Sequence, residues 1–118
     1  MNKRAFGTAF EKKAESFLEE QGYLILERNF RCRSAEADLV AMDGKYLVFA
    51  EVKARRSTRA GFGAEAVDRR KQMRILHAAR VYLMLHHLPQ ETPVRFDVVS
   101  IDAGSVRLIR NAFEGTGL

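Results

Sequence analysis

Between Gly7 and Gln21 the apolar residues Phe10, Ala14, Phe17 and Leu18 recur at helical spacing, with charged residues between them. That spacing predicts a first helix, and Gly22 is a natural residue for its C-terminal cap. Tyr23 to Phe30 is rich in strand formers and predicts a first strand; Ala37 to Met42 predicts a second. Asp43-Gly44 is a strong hairpin-turn signal, so Tyr46 to Lys53 follows as a third strand. Its Leu47-Val48-Phe49-Ala50 run is apolar without alternation, the pattern of a strand covered on both faces. Arg55 to Gly63 is a basic, glycine-containing loop. A second helix is expected from Ala64 to His86, with Val67, Ile75, Ala78, Ala79, Tyr82 and Leu83 as its apolar stripe and Lys71 on or beside it. Pro89 and Pro93 punctuate the next connection. Val94 to Ile101 reads as a fourth strand, Asp102 to Ser105 as a turn, and Val106 to Arg110 as a short last strand. Helix, three strands, helix, then one or two strands make an α/β pattern, a mixed sheet flanked by helices.

The 118 residues make one domain, large enough to bury a core without disulfides or a structural metal. Hydrophobic residues at 47% and charged residues at 30% place it among folded chains, not disordered ones. The net charge of +5 and a pI near 9.7 point to a polyanionic partner, of which nucleic acid is the commonest. Cys32 is the only cysteine, so no internal disulfide forms, and His77, His86 and His87 have no thiolate partners for zinc. The opening Met1-Asn2-Lys3-Arg4 is followed by no apolar signal-peptide core, and no apolar run approaches the roughly 18 residues of a membrane span. A cytoplasmic protein without a membrane partner is expected.

The chemistry lies in Glu36-Ala37-Asp38 and Glu51-Val52-Lys53. A two-residue turn at Asp43-Gly44 pairs Met42 with Lys45, which sets Asp38 opposite Phe49 and Glu36 opposite Glu51. Side chains alternate along strands, so Glu36, Asp38, Glu51 and Lys53 share one face. A three-residue loop would destroy this register. Like charges directly opposite each other destabilise a hairpin. A divalent cation would offset the repulsion, and Mg²⁺ takes oxygen ligands from carboxylates, waters and phosphates. The plainer alternative is a solvent-facing hairpin end carrying an ordinary Glu–Lys pair.

Asp38 followed by Glu51-Val52-Lys53 after a hairpin resembles the signature of the PD-(D/E)XK nuclease superfamily. Nearly the whole chain resembles the YraN-like family of small bacterial proteins, which are similar to archaeal Holliday junction resolvases. The resemblance rests on Gly7, Glu11, Ala14 and Leu18 in the first helix, then Gly22-Tyr23 and Arg28-Asn29-Phe30. It continues through Glu36, Asp38 and Leu39, then Glu51-Val52-Lys53 with Arg55, Lys71-Gln72, and Arg95-Phe96-Asp97-Val98-Val99. Ala35 stands where the family usually has glycine and Ala37 where it usually has isoleucine, and no proline precedes Asp38. None of these departures removes a ligand.

The resemblance implies a restriction-endonuclease-like fold, a mixed central β-sheet flanked by helices. It implies that Asp38 and Glu51 hold Mg²⁺ or Mn²⁺, with the Val52 carbonyl as a further oxygen. Lys53 would orient the attacking water and stabilise charge on the phosphate, and Glu11 would reach the metal from the first helix. Glu36 is either a further metal-shell carboxylate or an exposed strand start. Lys71 and Gln72 contact phosphate or belong to a solvated helix face. Arg55, Arg56 and Arg59, with Arg69, Arg70 and Arg74 on the next helix, supply the cations that a phosphate backbone needs beside carboxylates. Gly61 and Gly63 give the loop freedom to close on a substrate, whereas Tyr82 and Phe96 read as core. The expected activity is metal-dependent endonucleolytic hydrolysis of DNA, on branched or damaged substrates. The alternative is a non-catalytic nucleic-acid-binding module that keeps the fold. A homodimer follows only by analogy with junction-resolving relatives, which cut two symmetric strands.

Overall fold

The computed structural model describes residues 9–55, 67–102 and 105–115. Helix α1 (Ala9–Glu20) presents Ala14 and Leu18 to the interior. It ends at Gly22, whose φ of +96° opens the left-handed region to the chain. Gly22 N–H then bonds Glu19 O, and Tyr23 N–H bonds Leu18 O, each at 3.0 Å. These two bonds satisfy the last carbonyls of the helix in a Schellman closure.

Strands β1 (Leu24–Cys32), β2 (Ala35–Asp43) and β3 (Tyr46–Arg55) follow, then helix α2 (Arg69–Leu85), then β4 (Val94–Asp102) and β5 (Ser105–Ile109). The five strands pair in sequence order, β1-β2-β3-β4-β5. All neighbours are antiparallel except β3 and β4, which run parallel and are joined through α2. A helix is the usual crossover between parallel strands. Among the described residues the architecture is therefore α/β, a mixed five-stranded sheet flanked by two helices, and it is compatible with a restriction-endonuclease-like fold.

Each face of the sheet buries one apolar cluster. Leu47, Phe49 and Phe96 pack with Ile75, Ala78, Ala79 and Tyr82 of α2. Val48, Ala50, Val99 and Ile101 pack with Ala14 and Leu18 of α1. The unalternating run in β3 is thus covered from both sides, as its composition predicts. Tyr82 and Phe96 are core residues.

Two local expectations need correction. Helix α2 begins at Arg69 and not near Ala64, because Asp68 has extended backbone (φ −75°, ψ 174°) and its carboxylate accepts from Lys71 N–H at 2.8 Å. An aspartate in that role caps a helix and stands outside it. The hairpin also closes one position later than expected. Asp43 pairs with Tyr46, so Gly44-Lys45 is the turn and not Asp43-Gly44. Gly44 has φ +60°, the positive first position of a II′ turn. Asp43 is drawn into the strand because Arg95 donates to its Oδ2 at 2.7 Å. The pairing shifts by two residues, which preserves alternation along the paired stretch from Leu39 to Asp43. Leu39 now lies opposite Ala50, where the regular ladder ends.

Arg95 belongs to a buried polar knot that ties the sheet together. Asp97 is fully buried and accepts from Tyr23 Oη (2.7 Å), from Arg95 (2.8 and 2.9 Å) and from Asn111 N–H (2.9 Å). Burial, then the hydrogen bond to Asp97, pushes the Tyr23 hydroxyl up to about 12. Among the described residues no helix is long and apolar enough to cross a membrane.

Candidate metal and phosphate site

The site forms where the β2–β3 ladder gives out. Past the Leu39–Ala50 pair, Val52 N–H donates to the Asp38 carboxylate (Oδ2, 2.8 Å), a contact of main chain with side chain. That bond fixes Asp38 beside Glu51. Glu51 lies on the α2 face, in line with Leu47 and Phe49, and is almost wholly buried. The two carboxyl groups are close enough to perturb each other's ionisation.

Burial is the main cause of both perturbations. It pushes Glu51 up to about 8, reinforced by the charge on Asp38 and only partly offset by Lys71. Burial also raises Asp38, against the pull of the Val52 N–H bond. A buried pair of like charges holds a proton readily, because ionising both would place two negative charges side by side out of water. Glu51 Oε1 is buried and has no hydrogen-bond partner.

Helix α2 brings a cation to this pair. Lys71 stands in its first turn, one turn before the buried Ile75. Its ammonium bonds Glu36 Oε2 and lies 3.4 Å from Glu51 Oε2. Arg74 holds the other Glu36 oxygen at 3.2 Å. Burial works against ionisation of Glu36, but the hydrogen bond and charge of Lys71, then the charge of Arg74, outweigh it and lower its pKa. Burial likewise disfavours the Lys71 ammonium, yet the bond to Glu36 and the charges of Glu51, Glu36 and Asp38 raise its pKa overall. An open cleft of about 270 Å³ adjoins the cluster, lined by Glu36, Asp68, Arg70, Lys71 and Arg74.

The expected site residues therefore divide. Asp38 and Glu51 come together, and Lys53 shares the strand face of Glu51 by alternation. Glu11, in the first turn of α1, is partly buried, and its charge acts on Asp38. Both Glu36 oxygens are engaged by cations. Gln72 turns its side-chain amide to Val67 O at 2.9 Å, a structural contact. Arg70 and Arg74 line the cleft. The Arg55 side chain, Arg56, Arg59, Gly61 and Gly63 lie outside the described residues.

Sequence reasoning missed the Lys71–Glu51 contact. The signal was the position of Lys71 beside the apolar stripe, since a lysine on a buried face needs an anion. Two carboxylates are what Mg²⁺ commonly takes from a protein, with waters and phosphate oxygens completing its shell. The unpartnered Glu51 Oε1 is an acceptor that such a cation would satisfy, so the residues present fit the ion. Among the described residues no three carboxylate, imidazole or thiolate groups converge on one point as a closed metal cage.

A sequence model of the uncharacterised protein family UPF0102 matches residues 10–101. A UPF0102 protein of Lachnoclostridium phytofermentans is 49% identical over 117 residues, covering 99% of each chain. One from Desulforapulum autotrophicum is 46% identical over 116 residues, covering 95% of each. One from Janthinobacterium is 41% identical over 112 residues, covering 95% of this chain and 89% of its own.

Proposed function

The chain belongs to the UPF0102 family, and from that premise we propose that it is a metal-dependent DNA endonuclease of the PD-(D/E)XK kind, similar to archaeal Holliday junction resolvases. The matched segment contains Glu11, Glu36, Asp38, Glu51, Lys53 and Lys71. The observation that carries the proposal is the pairing of the half-buried Asp38 with the buried Glu51, with one Glu51 oxygen left without a partner. A fold does not preserve such an arrangement for stability, because an unsatisfied buried acceptor costs about 1–3 kcal/mol.

Asp38 and Glu51 would hold Mg²⁺ or Mn²⁺, with Glu11 contributing charge from α1. When bound, the cation supplies an activated water and neutralises charge at the phosphate. Lys53 sets its ammonium on the same face and stabilises the negative charge that develops on the phosphoryl oxygens. The Val52 N–H bond holds the Asp38 carboxylate in place while this happens. Arg55, Arg56, Arg59, Arg70 and Arg74 draw in the phosphate backbone, whose negative charge the carboxylates alone would repel. Branched or damaged DNA is the substrate class that the resolvase resemblance favours, and a homodimer would present two such sites to two strands.

A second reading draws on one observation. Lys71 already neutralises part of the carboxylate cluster, as it would in a nucleic-acid-binding module that keeps the fold without turnover. Incubation with duplex, flap and four-way DNA in Mg²⁺ or Mn²⁺ separates the two readings. The nuclease proposal expects cleavage that EDTA abolishes; binding without cleavage across the panel favours the module.

A further inference from the structure

We infer that Lys71 is a resident counter-cation of the Asp38–Glu51 pair, that it yields to a divalent ion, and that its released ammonium then serves as a phosphate contact beside Arg74. This rests on the metal reading above. It assigns Lys71 and Glu36 roles in metal binding, as competitor and anchor, where the sequence leaves Glu36 between a metal-shell carboxylate and an exposed strand start.

The geometry of the two contacts differs in a way that matters. Lys71 forms a close hydrogen bond to Glu36 Oε2, whereas its 3.4 Å separation from Glu51 Oε2 is long for a hydrogen bond. The ammonium is therefore anchored at Glu36 and only leans on Glu51. It leaves Glu51 Oε1 unsatisfied. Arg74 secures the far oxygen of Glu36, so the anchor persists when the Glu51 contact breaks.

A second cation between Asp38 and Glu51 would stand within a few ångströms of this ammonium, at a distance where like charges repel strongly in a partly dry site. Lys71 has somewhere to go. Its flexible four-carbon stem pivots readily, its side chain is 33% exposed, and the adjoining cleft opens to solvent. There it joins Arg70 and Arg74. Loading the carboxylate pair thus converts a neutralised cluster into a cationic surface, and metal and nucleic-acid binding become coupled. Such coupling is reciprocal by thermodynamic necessity.

The test is metal affinity, read without turnover. Mn²⁺ binding is measured by the decrease of the free-ion paramagnetic resonance signal, at a pH above the Glu51 value, for wild type, Lys71→Met and Lys71→Arg. Lys71→Met is expected to bind Mn²⁺ about tenfold more tightly, within the usual range of site-to-site coupling, and Lys71→Arg to stay near wild type. Lys71→Gln, which can still donate to Glu36 but carries no charge, controls for altered packing and should repeat the gain. Equal or weaker Mn²⁺ affinity in both neutral variants overturns the inference while leaving the metal site standing. Absence of Mn²⁺ binding in wild type and variants alike overturns the metal reading itself. DNA affinity in Ca²⁺ against EDTA supplies the second arm: a Ca²⁺-dependent gain in wild type should shrink in Lys71→Met, and an undiminished gain overturns the phosphate role.

Discussion

The Asp38 carboxylate accepts the backbone N–H of Val52 at 2.8 Å, so a side chain of one strand takes the place of the next ladder bond from its neighbour. The consequence is chemical as well as structural. The bond holds Asp38 against Glu51 at the point where the regular β2–β3 pairing stops, and both groups are raised in pKa by the resulting burial. The same arrangement that costs the fold stability would supply paired oxygens for the proposed cation.

That cost depends on pH. Glu51 rises from its ordinary 4.5 to about 8 in the fold. Below 4.5 both folded and unfolded chains hold the proton, and this group imposes no penalty. Between the two values the unfolded chain releases its proton while the folded chain keeps it, so stability falls as pH rises and levels off above about 8. Asp38 is shifted in the same direction. Thermal melts in EDTA should show a declining Tm across this window, and Glu51→Gln should flatten most of the decline. Parallel profiles for wild type and variant would contradict the burial argument.

At the other end of the sheet, Arg95→Ala should be strongly destabilising. Asp97 is fully buried, and Arg95 is its charged partner. Removing one member of a buried ion pair typically costs about 3–5 kcal/mol, because the remaining charge is left uncompensated. Urea unfolding measures this directly, and a destabilisation below about 1 kcal/mol would mean that Tyr23 Oη and Asn111 N–H alone satisfy the carboxylate.

The fold was legible to different depths. Periodicity located the elements, because α1 and α2 each bury one stripe and β3 is covered on both faces. The nearness of Asp38 to Glu51 was legible too, since a two-residue register shift leaves alternation unchanged along the paired stretch that leads to them. The register itself was not, because Arg95, more than fifty residues away, pulls Asp43 into the strand. The start of α2 was hidden for a related reason: Val67 continues the apolar pattern while Asp68 caps the helix. Glu36 could be read as a ligand because nothing local reveals that Lys71 and Arg74 hold it from 35 and 38 residues away.

Simultaneous replacement of Arg55, Arg56 and Arg59 by alanine should weaken DNA binding and flatten its salt dependence. Removing a single phosphate-binding cation lowers the slope of log affinity against log salt by roughly one unit on duplex DNA. A filter-binding series over a range of salt concentrations reads this slope. An unchanged slope would locate the DNA surface elsewhere.

Lys53→Ala separates charge stabilisation from metal binding. Mn²⁺ affinity should stay close to that of wild type, because the carboxylate pair is intact, while single-turnover cleavage slows by about two to three orders of magnitude. Failure of this variant to bind metal would give Lys53 a structural role in place of an electrostatic one.

The central claim is that Asp38 and Glu51 bind the ion through which DNA is cut. The most direct measurement compares cleavage of duplex, flap and four-way DNA by wild type and Glu51→Ala, purified side by side, in Mg²⁺ or Mn²⁺ and in EDTA. The account predicts divalent-dependent cleavage by wild type and none by Glu51→Ala, with DNA binding retained or tightened once a carboxylate that repels phosphate is gone. Equal cleavage by the two preparations would mark the activity as a contaminant. Cleavage by neither, with binding by both, would contradict the nuclease account.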